Sequence, residues 1–345
     1  MSKKNTMYRS YNFFFSSKRA FDMPFSWIFA IVAGVIILFI AIYATTHLIN
    51  YEQKVGNSES ALEMLNYLNP IVSGVMSSYS TQFRFNKETR IYVNCTPSSS
   101  SSPVFGRQTL AFSEESGFIK KWPNPGEAIP RYNKYIFSEN ILQGKIFYIF
   151  SKPFYTGFKV DDLITITSEK YCFIAPPTII EEELQLLGLA NVNVTSTITL
   201  CPKDTKVVCF GASFNGCNMS VYGECTSFTC ESEYDKGFIL KNNKRIYYTG
   251  NLIYAAIFSS PEIYECNIKR LGKKINELAT IYNEKIDVVR LKDCDSTISP
   301  FLLQIAAVSK TINSSSEIRD IYDLSNDMDE LNCDSNCRIY PPEGC

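Results

Sequence analysis

Two polar clusters hold the residue types best suited to chemistry: Ser259-Ser260 and Asp293-Cys294-Asp295-Ser296. Carboxylates and hydroxyls converging from two loops could hold a divalent cation or hydrogen-bond a polar ligand. Residues 252–258 and 286–291 read as strands, and ligands of α/β sheets bind beyond the carboxyl ends of strands. Ser259, Ser260, Asp293 and Asp295 are therefore the candidate ligand-binding residues. The plainer reading makes Asp295 and the serines caps of turns and helices, with Cys294 in a disulfide.

Other chemistries lack their equipment. The single histidine, His47, follows a long apolar stretch, so Ser-His-Asp and Cys-His catalysis would place their base at a lipid surface. Histidine-ligated metal fails for the same reason. No two glycines stand one residue apart and no G-x-x-x-x-G-K-[ST] occurs, which removes the nucleotide-cradling loops. The acid runs Asp161-Asp162 and Glu181-Glu182-Glu183 show no spacing that singles out a glycosidase. No catalytic residue, metal or cofactor is expected, and a carboxylate-based hydrolase is the least favoured function. A formal net charge of −1 gives no reason to expect nucleic acid.

The element that organises the rest is residues 25–44, FSWIFAIVAGVIILFIAIYA, without charge or proline. As a helix it spans a hydrocarbon core of roughly 30 Å. Lys3, Lys4, Arg9, Lys18 and Arg19 precede it, which favours an N-terminus inside and the long remainder outside. All twelve cysteines lie beyond it: Cys95, Cys172, Cys201, Cys209, Cys217, Cys225, Cys230, Cys266, Cys294, Cys333, Cys337 and Cys345. In an oxidising space an even number of cysteines predicts disulfides. Sequons at Asn94, Asn193, Asn218 and Asn313 mark glycosylation candidates.

The expected architecture is a single transmembrane helix followed by a disulfide-rich extracellular ectodomain of α+β or α/β class. Residues 1–24 form a basic cytoplasmic segment, 25–47 the anchor through the bilayer, and 48–80 a stalk helix. Within the stalk, Ser60 and Glu63 form a capping box and Pro70 is a kink. Residues 81–160 form a β-rich subdomain that opens with a hairpin turning at Asn86-Lys87-Glu88. Residues 161–345 form an α/β subdomain with a Cys-rich insertion, 201–230, and a Cys-rich C-terminus. A β-α-β unit is expected around a helix with a Thr178–Glu181 capping box. Ser260-Pro261 opens a helix carrying Tyr264, Ile268, Leu271, Ile275, Leu278 and Tyr282. Its basic residues Lys269, Arg270, Lys273 and Lys274 read as a solvated face. Ser299-Pro300 opens another helix, and Ile318, Ile321, Leu324, Met328 and Leu331 mark the last.

Residues 21–46, FDMPFSWIFAIVAGVIILFIAIYATT, resemble the anchor of uncharacterised single-span surface proteins of small-genome archaea, and residues 253–271, IYAAIFSSPEIYECNIKRL, look like a segment recurring in that group. The resemblance implies a location and no activity. A second likeness is to archaeal type IV pilin-like proteins, with Arg19-Ala20-Phe21 in the place of the leader cleavage site; Asp22 and Pro24 depart from that pattern.

The leading expectation is a non-enzymatic cell-surface protein, N-terminus inside and ectodomain outside, with a protein or glycan partner in adhesion or assembly. Ala30 and Gly34 form a small-x-x-x-small pair suited to a homo-oligomer. The alternatives are a ligand receptor at the strand ends and a pilin-like subunit.

Overall fold

The computed structural model describes residues 25–72, 79–97, 105–116, 122–211, 216–226, 232–292, 294, 296–335 and 337–341. The chain divides into two compact units, residues 1–52 and 53–345. Helix α1 (Phe25–Val72) begins in the first. Within it, the 23-residue stretch Ser26–Leu48 is long and apolar enough to cross a membrane, and none of it is buried. That fits a membrane span or a signal anchor.

The second unit has an α+β body built on two six-stranded sheets. The first contains β1 (Tyr79–Thr96), β2 (Arg107–Glu114), β3 (Ile129–Arg131), β4 (Tyr135–Phe137), β5 (Ile141–Thr156) and β6 (Phe158–Thr167), in the order β3-β2-β1-β5-β6-β4. It buries both faces, and alternation along the strands assigns the residues. Ile136, Ile149 and Ile164 join Phe85, Phe147, Met64 and Ile263 on one side, while Tyr135, Phe150 and Leu163 join the main core on the other.

The second sheet contains β7 (Tyr171–Ile174), β8 (Val192–Thr195), β9 (Lys206–Phe210), β10 (Met219–Gly223), β11 (Lys236–Lys241) and β12 (Lys244–Thr249), in the order β12-β11-β10-β9-β7-β8. Strands β8, β7, β9 and β10 run parallel, and β11–β12 is an antiparallel hairpin. The hairpin turns at Asn242-Asn243, both at positive φ (52° and 59°), as a two-residue loop of this hand requires. Helix α2 (Thr178–Leu187) joins β7 to β8 and stops at Gly188 in the left-handed conformation.

Helices α3 (Leu252–Phe258), α4 (Pro261–Arg290), α5 (Ser299–Lys310) and α6 (Ile318–Asp334) complete the main core. Ser260 caps α4 by accepting from Ile263 N at 3.3 Å, with Pro261 in the first turn, as the Ser-Pro pair predicts.

Several expectations are corrected. Residues 252–258 form α3, not a strand: every side chain is buried, and a short all-apolar run carries no periodicity to separate the two. Residues 286–290 are the last turns of α4, not a strand. Residues 83–93 lie within one long strand whose register against β5 shifts between Arg84 and Thr89, so the expected turn is a bulge. Ser60 and Glu63 lie inside α1, which continues through Pro70 to Val72. The stalk ends before Tyr79-Ser80, which begin β1. Thr178 caps nothing; Pro177 precedes α2 without a side-chain cap. The 201–230 stretch is no insertion, because β9 and β10 lie within it. Strand β6 belongs to the first sheet, so the boundary at residue 160 falls inside a strand.

Four cysteine pairs are at disulfide distance: Cys95–Cys266, Cys172–Cys201, Cys209–Cys217 and Cys294–Cys337, with Cα separations of 5.4 to 6.1 Å. Cys225 and Cys333 are also disulfide-bonded. Cys230 and Cys345 lie outside the described residues.

Candidate functional site

Of the predicted ligand residues, Ser259 and Ser260 are at the opposite edge of the second sheet from the one expected. Lys241 pairs with Met219, the first residue of β10, which puts it at the amino edge of the parallel strands. Its ammonium donates to the carbonyls of Ile257 (3.1 Å) and Ser259 (2.6 Å). Ser259 is fully buried and its Oγ donates to Ala255 O at 2.6 Å. Ser260 Oγ bonds Asn140 Oδ1. Both serines thus close the C-terminus of α3 and open α4. Asp293 and Asp295 lie outside the described residues; between them Cys294 joins Cys337. Ser296 is buried, and its Oγ has no hydrogen-bond partner among the described residues.

Beside Ser259, Glu139 Oε1 accepts from Lys241 at 3.0 Å and Lys206 at 3.3 Å. Burial raises the Glu139 carboxyl, but the two ammonium groups outweigh it and hold the group below its ordinary range. The cluster ties the β4–β5 connection to the second sheet and to the end of α3.

Arg270 escaped the sequence reading. It is fully buried and not part of a solvated face. Its guanidinium donates to Phe105 O (2.9 Å), Gln108 Oε1 (3.0 Å), Lys134 O (2.8 Å) and Asn267 Oδ1 (2.8 Å), and lies 4.7 Å over the Tyr135 ring. Desolvation lowers it to about 10, so it keeps its charge at neutral pH. Lys274 pairs with Asp161, and Lys273 donates to Lys310 O at 2.7 Å. The available signal was a second stripe on α4, Ile263-Asn267-Arg270-Lys274, at helical spacing and masked by its polar members. These atoms are enclosed by protein and lock α4 to the first sheet.

At the carboxyl edge of the parallel strands lies a cleft of about 170 Å³. Residues from the α2 N-terminus, the approach to β11 and the start of α3 line it, among them Glu183, Ser232, Tyr234, Asn251 and Tyr254. The Glu183 carboxylate is engaged through both oxygens, by Lys152 at 3.1 Å and by the Tyr254 hydroxyl. Burial and the Glu183 charge raise the Tyr254 phenol, which stays protonated. Asn251 donates to Pro153 O at 2.8 Å. Glu183 is therefore a positioned acceptor and not a free base.

The outer face of β10–β12 carries a different arrangement. Val221, Ile239, Ile246 and Tyr248 point into the core, so Tyr222, Phe238, Arg245 and Tyr247 stand on the other side. Register places Tyr222 opposite Phe238 and Phe238 opposite Tyr247. The Tyr222 and Phe238 rings stack at 4.8 Å with 20° between planes. The Arg245 guanidinium lies 4.2 Å over Phe238, and Arg319 lies 4.2 Å over Tyr247. Arg319 is paired with Glu224 at 3.0 Å; Arg245 is exposed, hydrogen-bonds the Tyr247 side chain and is attracted by the same Glu224 charge. The rings are half-buried. On β7 and β9 the same face is instead covered, where Cys172, Ile174, Val207 and Cys209 pack with Ile198, Cys201 and Cys217.

The four sequon asparagines are exposed. Asn218 Oδ1 accepts from Val207 N at 2.7 Å and Asn313 Nδ2 donates to Thr311 O at 3.0 Å. Among the described residues no group of His, Cys, Asp and Glu is placed to hold a metal. No protein-family model, no curated protein and no solved structure matches the chain.

Proposed function

We propose that the chain is a membrane-anchored cell-surface protein with a non-enzymatic binding role, in adhesion or assembly outside the cell. The observation that carries this reading is the row Tyr222, Phe238, Arg245 and Tyr247 on the outer face of the second sheet. Amphipathic rings and arginine on a flat face suit recognition, and the carboxylates described above are committed to structural partners. The location rests on Ser26–Leu48, on the basic residues before it, and on disulfides that need an oxidising compartment. The sequon asparagines would then carry glycans on an external surface.

Two experiments on the full-length protein in its native membrane test this. Protease added to intact cells is expected to digest the chain beyond the anchor; complete protection rejects the external location. Affinity capture with the detergent-solubilised chain is expected to retain a protein or a glycan from the cell envelope, and an empty capture rejects the binding role.

A second reading, a receptor for a small ligand, now belongs to the carboxyl-edge cleft, where α/β sheets hold their ligands. A thermal-shift screen of small polar compounds tests it: stabilisation lost in Tyr234→Ala supports the reading, and no stabilising compound rejects it.

A further inference from the structure

We infer that a cleft between the first sheet and the α2–β8 turn binds a neutral sugar, with Gln82 and Tyr148 as the groups that hold it. The inference goes beyond the surface-binding reading, because it stands on a site apart from both the outer-face row and the carboxyl-edge cleft.

Alternation along the strands fixes one wall. Phe83 and Phe85 of β1 pack with Phe147 and Ile149 of β5 on one side of the first sheet, so Ser80, Gln82 and Tyr148 stand on the other. Register sets Gln82 directly opposite Tyr148, close enough for one ligand to touch both side chains. Ser80 Oγ donates to Leu187 O at the end of α2, which holds the Gly188-Leu189-Ala190 turn beside the same face as the second wall. At Gly188 a Cβ would meet nothing within 4 Å. The space between the walls is about 350 Å³, within the range of small-molecule sites.

The lining selects the ligand. None of the lining residues is Asp, Glu, Lys, Arg or His, so an ionic ligand would give up its hydration without meeting a countercharge. The one large aliphatic side chain among them, Leu189, is buried in the main core, which leaves an apolar ligand little to cover. The Gln82 amide and the Tyr148 phenol make no hydrogen bond among the described residues, and each both donates and accepts. Sugar hydroxyls have that same dual capacity. The Tyr148 ring is half-buried and belongs to no aromatic pair among the described residues, and such a ring suits the C–H face of a pyranose. A peptide added as a strand would use backbone groups along a sheet edge, whereas these free groups are side chains on a sheet face.

The test is saturation-transfer NMR on the full chain in lipid nanodiscs. The probes are maltose, cellobiose, lactose and chitobiose, with glucuronate and the capped tripeptide acetyl-triglycine amide as comparators. At least one disaccharide is expected to bind, and neither comparator. Gln82 is exposed, so Gln82→Ala is expected to weaken binding about tenfold with an unchanged melting temperature. Tyr148→Phe, which keeps the ring and removes the hydroxyl, is expected to weaken it as well. Ala190→Trp, a larger side chain at an exposed position on the turn, is expected to fill the cleft and abolish binding. The inference is overturned if no disaccharide binds, if glucuronate or the tripeptide binds as tightly, or if Gln82→Ala or Ala190→Trp leaves binding undiminished.

Discussion

The Lys241 ammonium stands 3.0 Å from Glu139 Oε1 with only 5% of its side chain exposed, and its remaining hydrogen bonds go to the last carbonyls of α3. A buried ammonium needs that carboxylate, because helix-end carbonyls offer only partial charge.

Glu139→Gln is therefore expected to destabilise the fold by about 3 kcal/mol, read by denaturant unfolding at neutral pH. Lys206→Ala, which removes the more exposed partner, should cost under about 1 kcal/mol. Equal costs would show that burial of Lys241 is not the controlling quantity.

The same carboxyl sets an acid response. Its folded-state value is held below the ordinary 4.5, so the unfolded chain takes up a proton first as pH falls. The stabilisation is present above the unfolded value and is lost as pH drops through the folded one. Wild type should lose stability more steeply than Glu139→Gln between about pH 5 and pH 3. Parallel curves would remove Glu139 from the acid response.

Arg270→Lys keeps the charge but loses the fork that reaches four acceptors on different segments. A loss of about 3 kcal/mol is expected. Lys273→Ala, one residue type and less than one turn away but on the accessible side of α4, is the control and should change stability by under about 0.5 kcal/mol. Denaturant midpoints measure both.

The disulfides should rank by the chain they enclose. Cys95–Cys266 closes 171 residues and Cys209–Cys217 closes 8; chain entropy gives about 5 and about 2.5 kcal/mol. Paired serine substitutions, compared by unfolding under oxidising conditions, should preserve that order.

Within Ser26–Leu48, Ile36→Lys and Ile40→Lys together should cost about 3 kcal/mol each for a membrane-crossing helix. Alkaline carbonate extraction should then release the variant and leave wild type in the pellet. Release of both would show that this helix does not hold the chain in the bilayer.

What could be read in advance was whatever the local pattern encodes. The stripe of α6 and the Ser260-Pro261 start of α4 follow from spacing and caps, and the β7-α2-β8 unit from its alternation of elements, although its expected capping box is absent. Residues 252–258 did not, because a helix buried on every side looks like a buried strand. Arg270 was hidden by the assumption that charge faces water, which fails once carbonyls from Phe105 and Lys134 converge on it. The outer-face row was hidden for another reason. Tyr222, Phe238 and Tyr247 become neighbours only through strand register, and single-sequence periodicity carries no information on which strands pair.

Strand β1 is the first strand of the second unit, and its far end is bonded to α4 through Cys95–Cys266. A pull that reaches Tyr79 would load β1, held antiparallel to β5 and then between β2 and β5. Such tension would shear many hydrogen bonds at once instead of peeling them one by one, and the covalent cross-link would stop extension at Cys95 and hand the load to a thirty-residue helix. A body wired in this way would resist being drawn open from that end of the chain.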